Sequence, residues 1–216
     1  MKQIFLSLLM MLLPLMANAE AVEIDGIYYN LINKGNAAEV TENPNKYTGN
    51  VVIPSSVVYN DVTYSVTYIG DGAFSYCSGL TSITIPNSVT SVGNYAFQDC
   101  SGLISITIPN SVTSVGNYTF QDCSGLTSII IPNSVTSMGG GTFQGCSGLT
   151  TVTISNSITS IGDYSFINCI GLTSISIPNS VKFIGNYVFR GCTGLTSVNI
   201  PNSVTYIGEG AFCYCI

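Results

Sequence analysis

Seven cysteines, Cys77, Cys100, Cys123, Cys146, Cys169, Cys192 and Cys215, follow one another at intervals of 23 residues, and no insertion disturbs the register. The stretch that starts at the first of them, CSGLTSITIPNSVTSVGNYAFQD over residues 77–99, is copied down the rest of the chain. Each copy returns the apolar set Leu80, Ile83, Ile85, Val89, Val92 and Phe97, with Gly79 and Gly93 between them. A fixed period of this length is the signature of a solenoid. One coil alone buries too few apolar side chains to offset the entropy of ordering its own backbone, so the copies must stack.

Leu80, Ile83 and Ile85 alternate as a short strand does, and Pro86-Asn87 ends it because proline has no N–H for a ladder. Equivalent strands run the same way, which predicts one parallel β-sheet of short strands with turns or short helical pieces on the opposite side. Gly93 and its repeats at 116, 139, 162, 185 and 208 are expected to supply positive φ. Phe74, Phe97, Phe120, Phe143, Phe166, Phe189 and Phe212 should line up as an internal spine. For the cysteine row, stacked identical positions lie roughly 4.8 Å apart with parallel side chains, whereas a disulfide needs Cβ atoms about 3.8 Å apart and angled inward. Buried free thiols are therefore expected, with Cys213, in an outward register, as the exposed exception.

The string L-x-x-I-x-I-P-x-S-V-x-x-I/V-G-x-x-x-F-x-x-C, carried by residues 77–216, resembles the BspA-type leucine-rich repeat of bacterial and protozoan surface proteins. The resemblance implies a leucine-rich-repeat solenoid that is exported and displayed. It also implies adhesion, since members of that family are associated with binding host extracellular-matrix and plasma proteins and with coaggregation. It implies no catalytic residues.

Residues 1–19 read as a secretory signal peptide: Lys2 gives a positive start, Ile4 to Met16 an apolar core, and Ala17-Asn18-Ala19 a small-residue cleavage site. The expected location is secreted or cell-surface, after cleavage near Ala19. Residues 20–51 read as an N-terminal β-hairpin cap. In it Val22 to Ile32 forms one strand and Asn33 to Asn36 a turn into Ala37 to Thr41. Residues 52–76 are a divergent first repeat with a hairpin insertion over Val57 to Tyr68 that turns at Asn60-Asp61. Glu20, Glu23, Asp25, Glu39 and Glu42 gather near the cap, either as a solvated acidic surface or as a weak cation site; no calcium-loop pattern accompanies them. The chain stops one residue after its last in-register cysteine. This leaves open pairing through the C-terminal coil or a fragment of something longer.

Only 7% of the residues are charged and the net charge is −6, which excludes the basic clusters that nucleic-acid binding rests on. There is no histidine, the commonest proton shuttle and metal ligand. Asp99 and Asp122 would sit one coil apart but repeat a solvent-facing position that becomes Gly145 and Asn168. No C-x-x-C pair occurs, against common zinc patterns. The reading is non-enzymatic, with no catalytic residue, cofactor or metal site.

Candidate binding residues are the outward rows of the strand: Ser82, Ser105, Ser128, Thr151, Ser174 and Ser197, and beside them Thr84, Thr107, Ile130, Thr153, Ser176 and Asn199. Solubility and β-propensity would account for the same rows. A secondary candidate is the tyrosine row Tyr95, Tyr118, Tyr164 and Tyr187, interrupted at Gly141 and Gly210. The asparagines at Asn87, Asn110, Asn133, Asn156, Asn179 and Asn202 are read as a turn-stabilising ladder. The leading expectation is an adhesin-like interaction module that binds extracellular proteins or glycans of host or neighbouring cells through its solenoid faces. The alternative is a structural element that self-associates through the C-terminal coil, with no ligand of its own.

Overall fold

The computed structural model describes residues 21–215; residues 1–19, read above as a signal peptide, lie outside them. Three strands open the chain, β1 (Val22–Ile24), β2 (Ile27–Ile32) and β3 (Ala37–Val40), followed by β4 (Gly49–Val52), β5 (Ser56–Tyr59) and β6 (Val62–Ile69). The coils then contribute β7 (Leu80–Thr84), β8 (Ser91–Val92), β9 (Ser114–Val115), β10 (Ser128–Ile130), β11 (Ser137–Met138) and β12 (Thr151–Thr153). The series ends with β13 (Ser160–Ile161), β14 (Ser174–Ser176), β15 (Phe183–Ile184), β16 (Ser197–Asn199) and β17 (Tyr206–Ile207). No helix occurs among the described residues, so the far side of each coil is built from turns.

The strand predicted over Val22 to Ile32 is two strands. Asp25-Gly26, with φ of 51° and 82°, folds β1 back antiparallel on β2, the dipeptide that a two-residue hairpin prefers. β2 pairs antiparallel with β3, and β5 with β6 across Asn60-Asp61 at φ of 50° and 61°. β6 then pairs in parallel with β3 on one side and β8 on the other. One strand therefore belongs to both cap and solenoid.

Two parallel ladders run along the column. The expected one holds β10, β12, β14 and β16 in the 23-residue register, while β7 pairs with β4. The copy between them joins only through the bridge Ser105 to Ser128. That copy carries Ile104 where the other copies have Thr; in the two copies that follow, the Thr hydroxyl donates to the coil before, Thr127 Oγ1 to the Ile104 carbonyl at 3.4 Å and Thr150 Oγ1 to the Thr127 carbonyl at 3.0 Å. The second ladder, of two-residue strands, was not expected. It runs through β6, β8, β9 and β11 and resumes through β13, β15 and β17.

A third set of inter-coil bonds links the turns: Tyr95 N–H donates to the Asn117 carbonyl at 2.9 Å, Phe97 to Thr119 at 2.8 Å and Asp99 to Gln121 at 2.8 Å. Intervening N–H groups close tight turns, Gln98 to the Tyr95 carbonyl and Cys100 to that of Phe97. Pointing alternate N–H groups at the next coil needs left-handed residues. Positive φ therefore recurs at Tyr95, Tyr118, Tyr164 and Tyr187, and again at Asp99, Asp122 and Asn168. It does not occur at Gly93 or its repeats, a correction to the sequence reading. Those glycines are required by close approach: a Cβ on Gly116 would stand 2.5 Å from the Asn94 nitrogen.

The core is one continuous row set. The phenylalanine rings stack from Phe74 to Phe212 with centroids 5.1–5.5 Å apart. Tyr47, from the cap, closes the upper end with its ring 4.6 Å from that of Phe74.

Candidate functional site

The two outward rows of the strand face are exposed, apart from Ser82, which is half-buried and donates to Asn50 Oδ1 at 2.6 Å. Where the second copy fails to pair with β7, the face opens into a depression of about 700 Å³. Ile83, Thr84, Ser105, Thr107, Ser128 and Ile130 are among the residues that line it. Ile130 replaces a hydroxyl residue in its row and is 67% exposed. A large apolar side chain standing on a face of hydroxyls gives an anchor that the polar positions lack.

The tyrosine row forms two stacks. Tyr95 and Tyr118 lie with centroids 5.1 Å apart, and Tyr164 and Tyr187 with centroids 5.7 Å apart, both nearly parallel. Tyr118 leans over Gly141, which is buried; a Cβ there would meet Tyr118 Cε1 at 2.2 Å. Each of these tyrosines holds a left-handed backbone that glycine takes at the equivalent positions 72, 141 and 210. For an L-residue that conformation costs roughly 1–2 kcal/mol, about what a ring stack returns.

The asparagine ladder expected of Asn87 and its repeats forms at one step only, Asn156 N–H to Asn133 Oδ1 at 3.0 Å. The working ladder lies seven residues on, just after the close-approach glycines. Asn94 N–H donates to Asp71 Oδ1 at 2.7 Å, Asn117 N–H to Asn94 Oδ1 at 2.8 Å and Gly140 N–H to Asn117 Oδ1 at 2.9 Å. After one interruption it resumes from Asn186 N–H to Asp163 Oδ1 at 2.7 Å and from Glu209 N–H to Asn186 Oδ1 at 2.9 Å. The sequence signal for it was the Gly-Asx pair itself. Beside this ladder runs a trough of about 450 Å³, floored by Gly93, Gly116 and Gly139 and walled on its other side by Ser91, Ser114 and Ser137.

The cysteines are free, and six of the in-register seven are buried. They are more than small apolar residues. Cys100, Cys123, Cys146, Cys169, Cys192 and Cys215 each point Sγ at the carbonyl of the phenylalanine 26 residues earlier, at 3.0 Å. Burial pushes the Cys77 thiol up to about 11 and that of Cys192 to about 12. Cys213 is exposed. Asp99 is raised above the usual carboxylate range by desolvation and then by Asp122, and Gln121 Nε2 donates to Asp122 Oδ2 at 3.0 Å. Near the cap, Glu23 accepts from the Gly26 N–H, Glu39 from Asn30, and Glu42 pairs with Lys46. Among the described residues no three His, Cys, Asp or Glu side chains converge on a metal-sized site.

The BspA-type leucine-rich repeat model matches in six copies over residues 53–173 and 116–216. The chain belongs to this family. Its solenoid superposes on a leucine-rich cell surface protein of Faecalibacterium prausnitzii with a TM-score of 0.80 at 35% identity, covering 90% of this chain and 52% of that one. A leucine-rich repeat protein of T. pallidum gives 0.79 at 29% identity, with 90% of each chain covered. One of Eubacterium ventriosum gives 0.76 at 30% identity, covering 91% of this chain and 50% of the other. This leucine-rich repeat chain thus spans about half the length of the Faecalibacterium and Eubacterium proteins. The search of curated proteins returns no match.

Proposed function

We propose that the chain is a protein-interaction module displayed outside the cell, which acts by binding and presents its strand face to host or neighbouring-cell macromolecules in the manner of an adhesin. The observation that carries this reading is the opened strand face, a broad depression of hydroxyl side chains beside exposed Ile130. Membership of a repeat family and the cell-surface description of the Faecalibacterium relative support it. Absence of histidine from the sequence leaves little for acid–base chemistry. Identical rows favour many weak contacts that add through effective concentration.

Size-exclusion chromatography with light scattering, with fibronectin or fibrinogen as probe, tests the reading. Co-elution that weakens about tenfold or more, roughly 1.4 kcal/mol, in Ile130→Ser with Ser128→Ala is expected. No co-elution with any extracellular-matrix or plasma protein would sink it.

A second reading is end-to-end self-association through the last coil, where Leu195, Val198, Ile200 and Phe212 line an apolar depression of about 300 Å³. It predicts a mass that rises with concentration and is indifferent to added partners.

A further inference from the structure

Lys34, Lys46, Lys182 and Arg190 are the basic side chains of the described residues, and two of these four lie over tyrosine rings on the turn side of the column. Lys46 Nζ stands 5.8 Å from the centre of the Tyr76 ring. Arg190 Cζ stands 5.8 Å from that of Tyr187 and 5.4 Å from that of Tyr214. A ring face attracts cations, and a flat guanidinium can also stack on it. The Tyr95–Tyr118 stack lies between these two places, in coils that carry Gln98 and Gln121 at the position of Arg190.

Both tyrosine stacks lean towards the coil that follows them. A Cβ on Gly141 would meet Tyr118 Cε1 at 2.2 Å, and one on Gly210 would meet Tyr187 Cε1 at 2.5 Å. Gly72 holds the same position in the coil before Tyr95, and no ring leans over it: a Cβ there would meet only Ser75 Cβ, at 3.8 Å. Tyr118 covers one face of the Tyr95 ring, with centroids 5.1 Å apart, so the other face looks into the opening at Gly72. Tyr95 is accordingly 41% exposed, whereas Tyr118 is half-buried.

Acids adjoin that opening. Asp71, next to Gly72, accepts from Asn94, next to Tyr95, through the N–H at 2.7 Å and Nδ2 at 3.2 Å. On the other side Gln98 N–H closes a tight turn on the Tyr95 carbonyl at 3.0 Å, and Asp99 follows it. Neither acid pairs with a base; among the described residues the ion pair is that of Lys46 with Glu42. Desolvation and then Asp122 raise Asp99 above the usual carboxylate range, the direction expected of an acid that has a like charge near it and no cation.

We propose that the open face of Tyr95 takes an arginine side chain of a basic partner protein, its guanidinium on the ring and its N–H groups towards the carboxylates of Asp71 and Asp99. The chain's own Arg190 shows the pairing of guanidinium with tyrosine two rings further down the same row. A cation is favoured over a sugar or a second aromatic ring because Asp71, Asp99 and Asp122 gather here on a chain of net charge −6. Arginine is favoured over lysine because its planar fork stacks and donates at once. The site lies on the turn side, away from the strand rows, so it stands or falls separately from the interaction reading above.

The test is calorimetric titration of the full chain with hexa-arginine, acetylated and amidated at its ends, and with hexa-lysine of the same net charge. Hexa-arginine should bind at least about threefold tighter than hexa-lysine. Tyr95→Phe keeps the ring and should bind as the parent does. Tyr95→Gly adopts the residue found at the equivalent positions 72, 141 and 210, so it should fold and lose about fivefold in affinity, the size of an exposed cation–π contact. Asp99→Asn, which copies the residue at 168, should also weaken binding. Asp61→Asn, an equal loss of charge at the tip of the β5–β6 hairpin, should not, and neither should Ile130→Ser. Equal affinity for the two peptides, undiminished binding by Tyr95→Gly, or a loss in Asp61→Asn as large as that in Asp99→Asn would overturn the proposal in favour of diffuse charge attraction.

Discussion

At Gly116 a methyl group would run into the Gly93–Asn94 peptide of the coil before, the Asn94 nitrogen at 2.5 Å and the Gly93 carbonyl carbon at 2.6 Å. Backbone cannot step aside as a flexible side chain does, so Gly116→Ala should destabilise the fold by roughly 1–3 kcal/mol, read as a fall in urea midpoint. That glycine row was visible in the sequence, but its reason was not: recurrence marks a constraint without saying whether φ or space imposes it. The cysteine row was legible as buried thiols because register and disulfide geometry conflict. Its hydrogen bonds were not legible, since the acceptors are main-chain carbonyls with no sequence signature. Those thiols set an alkaline limit. Folded Cys77 and Cys192 titrate at about 11 and about 12, against about 8.5 in an unfolded chain. The protonated form is favoured by the fold, so this stability is whole below about pH 8.5 and lost as pH rises towards 11 and 12. Urea denaturation at stepped pH should show that decline. In the native protein at neutral pH, a thiol reagent should titrate Cys213 rapidly and leave Cys100 to Cys192 silent until unfolding.

Among the elements, the phenylalanine stack was fully legible, because an aromatic at a fixed place in each period can only meet its own copies. Phe143 is buried between two rings, whereas Phe212 has a ring on one side and is half-buried. Phe143→Ala should therefore cost about 3–5 kcal/mol and Phe212→Ala less than half of that, compared by chemical denaturation. The second ladder was missed since its strands are two residues long and carry too short an alternation to register. The split of the first strand was missed for a different reason: Asp25-Gly26 was present as a turn signal, but the apolar run across it outweighed it. Of the candidate binding rows, their exposure on one face followed from alternation alone. The opening at the second copy was not legible, since that copy keeps the apolar and hydroxyl pattern of its neighbours at every strand position except Ile104.

For the molecule as a whole, register is the organising quantity. Excising one full period, residues 124–146, joins equivalent positions and preserves each ladder; excising 11 residues joins unlike positions. The first variant should keep its β-type circular dichroism and a cooperative transition with a smaller urea m-value, in proportion to the surface lost. The second should not fold beyond the cut. β6 is where the two-residue hairpin with β5 meets the first long-period pairing with β8. Closing that hairpin costs far less chain entropy than closing a 23-residue coil, and each later coil finds a finished neighbour to add to. Assembly therefore has a direction: it should start at the cap and zip towards Cys215. Pulse-labelled hydrogen exchange should show amides of β5 and β6 protected before those of β15 and β17.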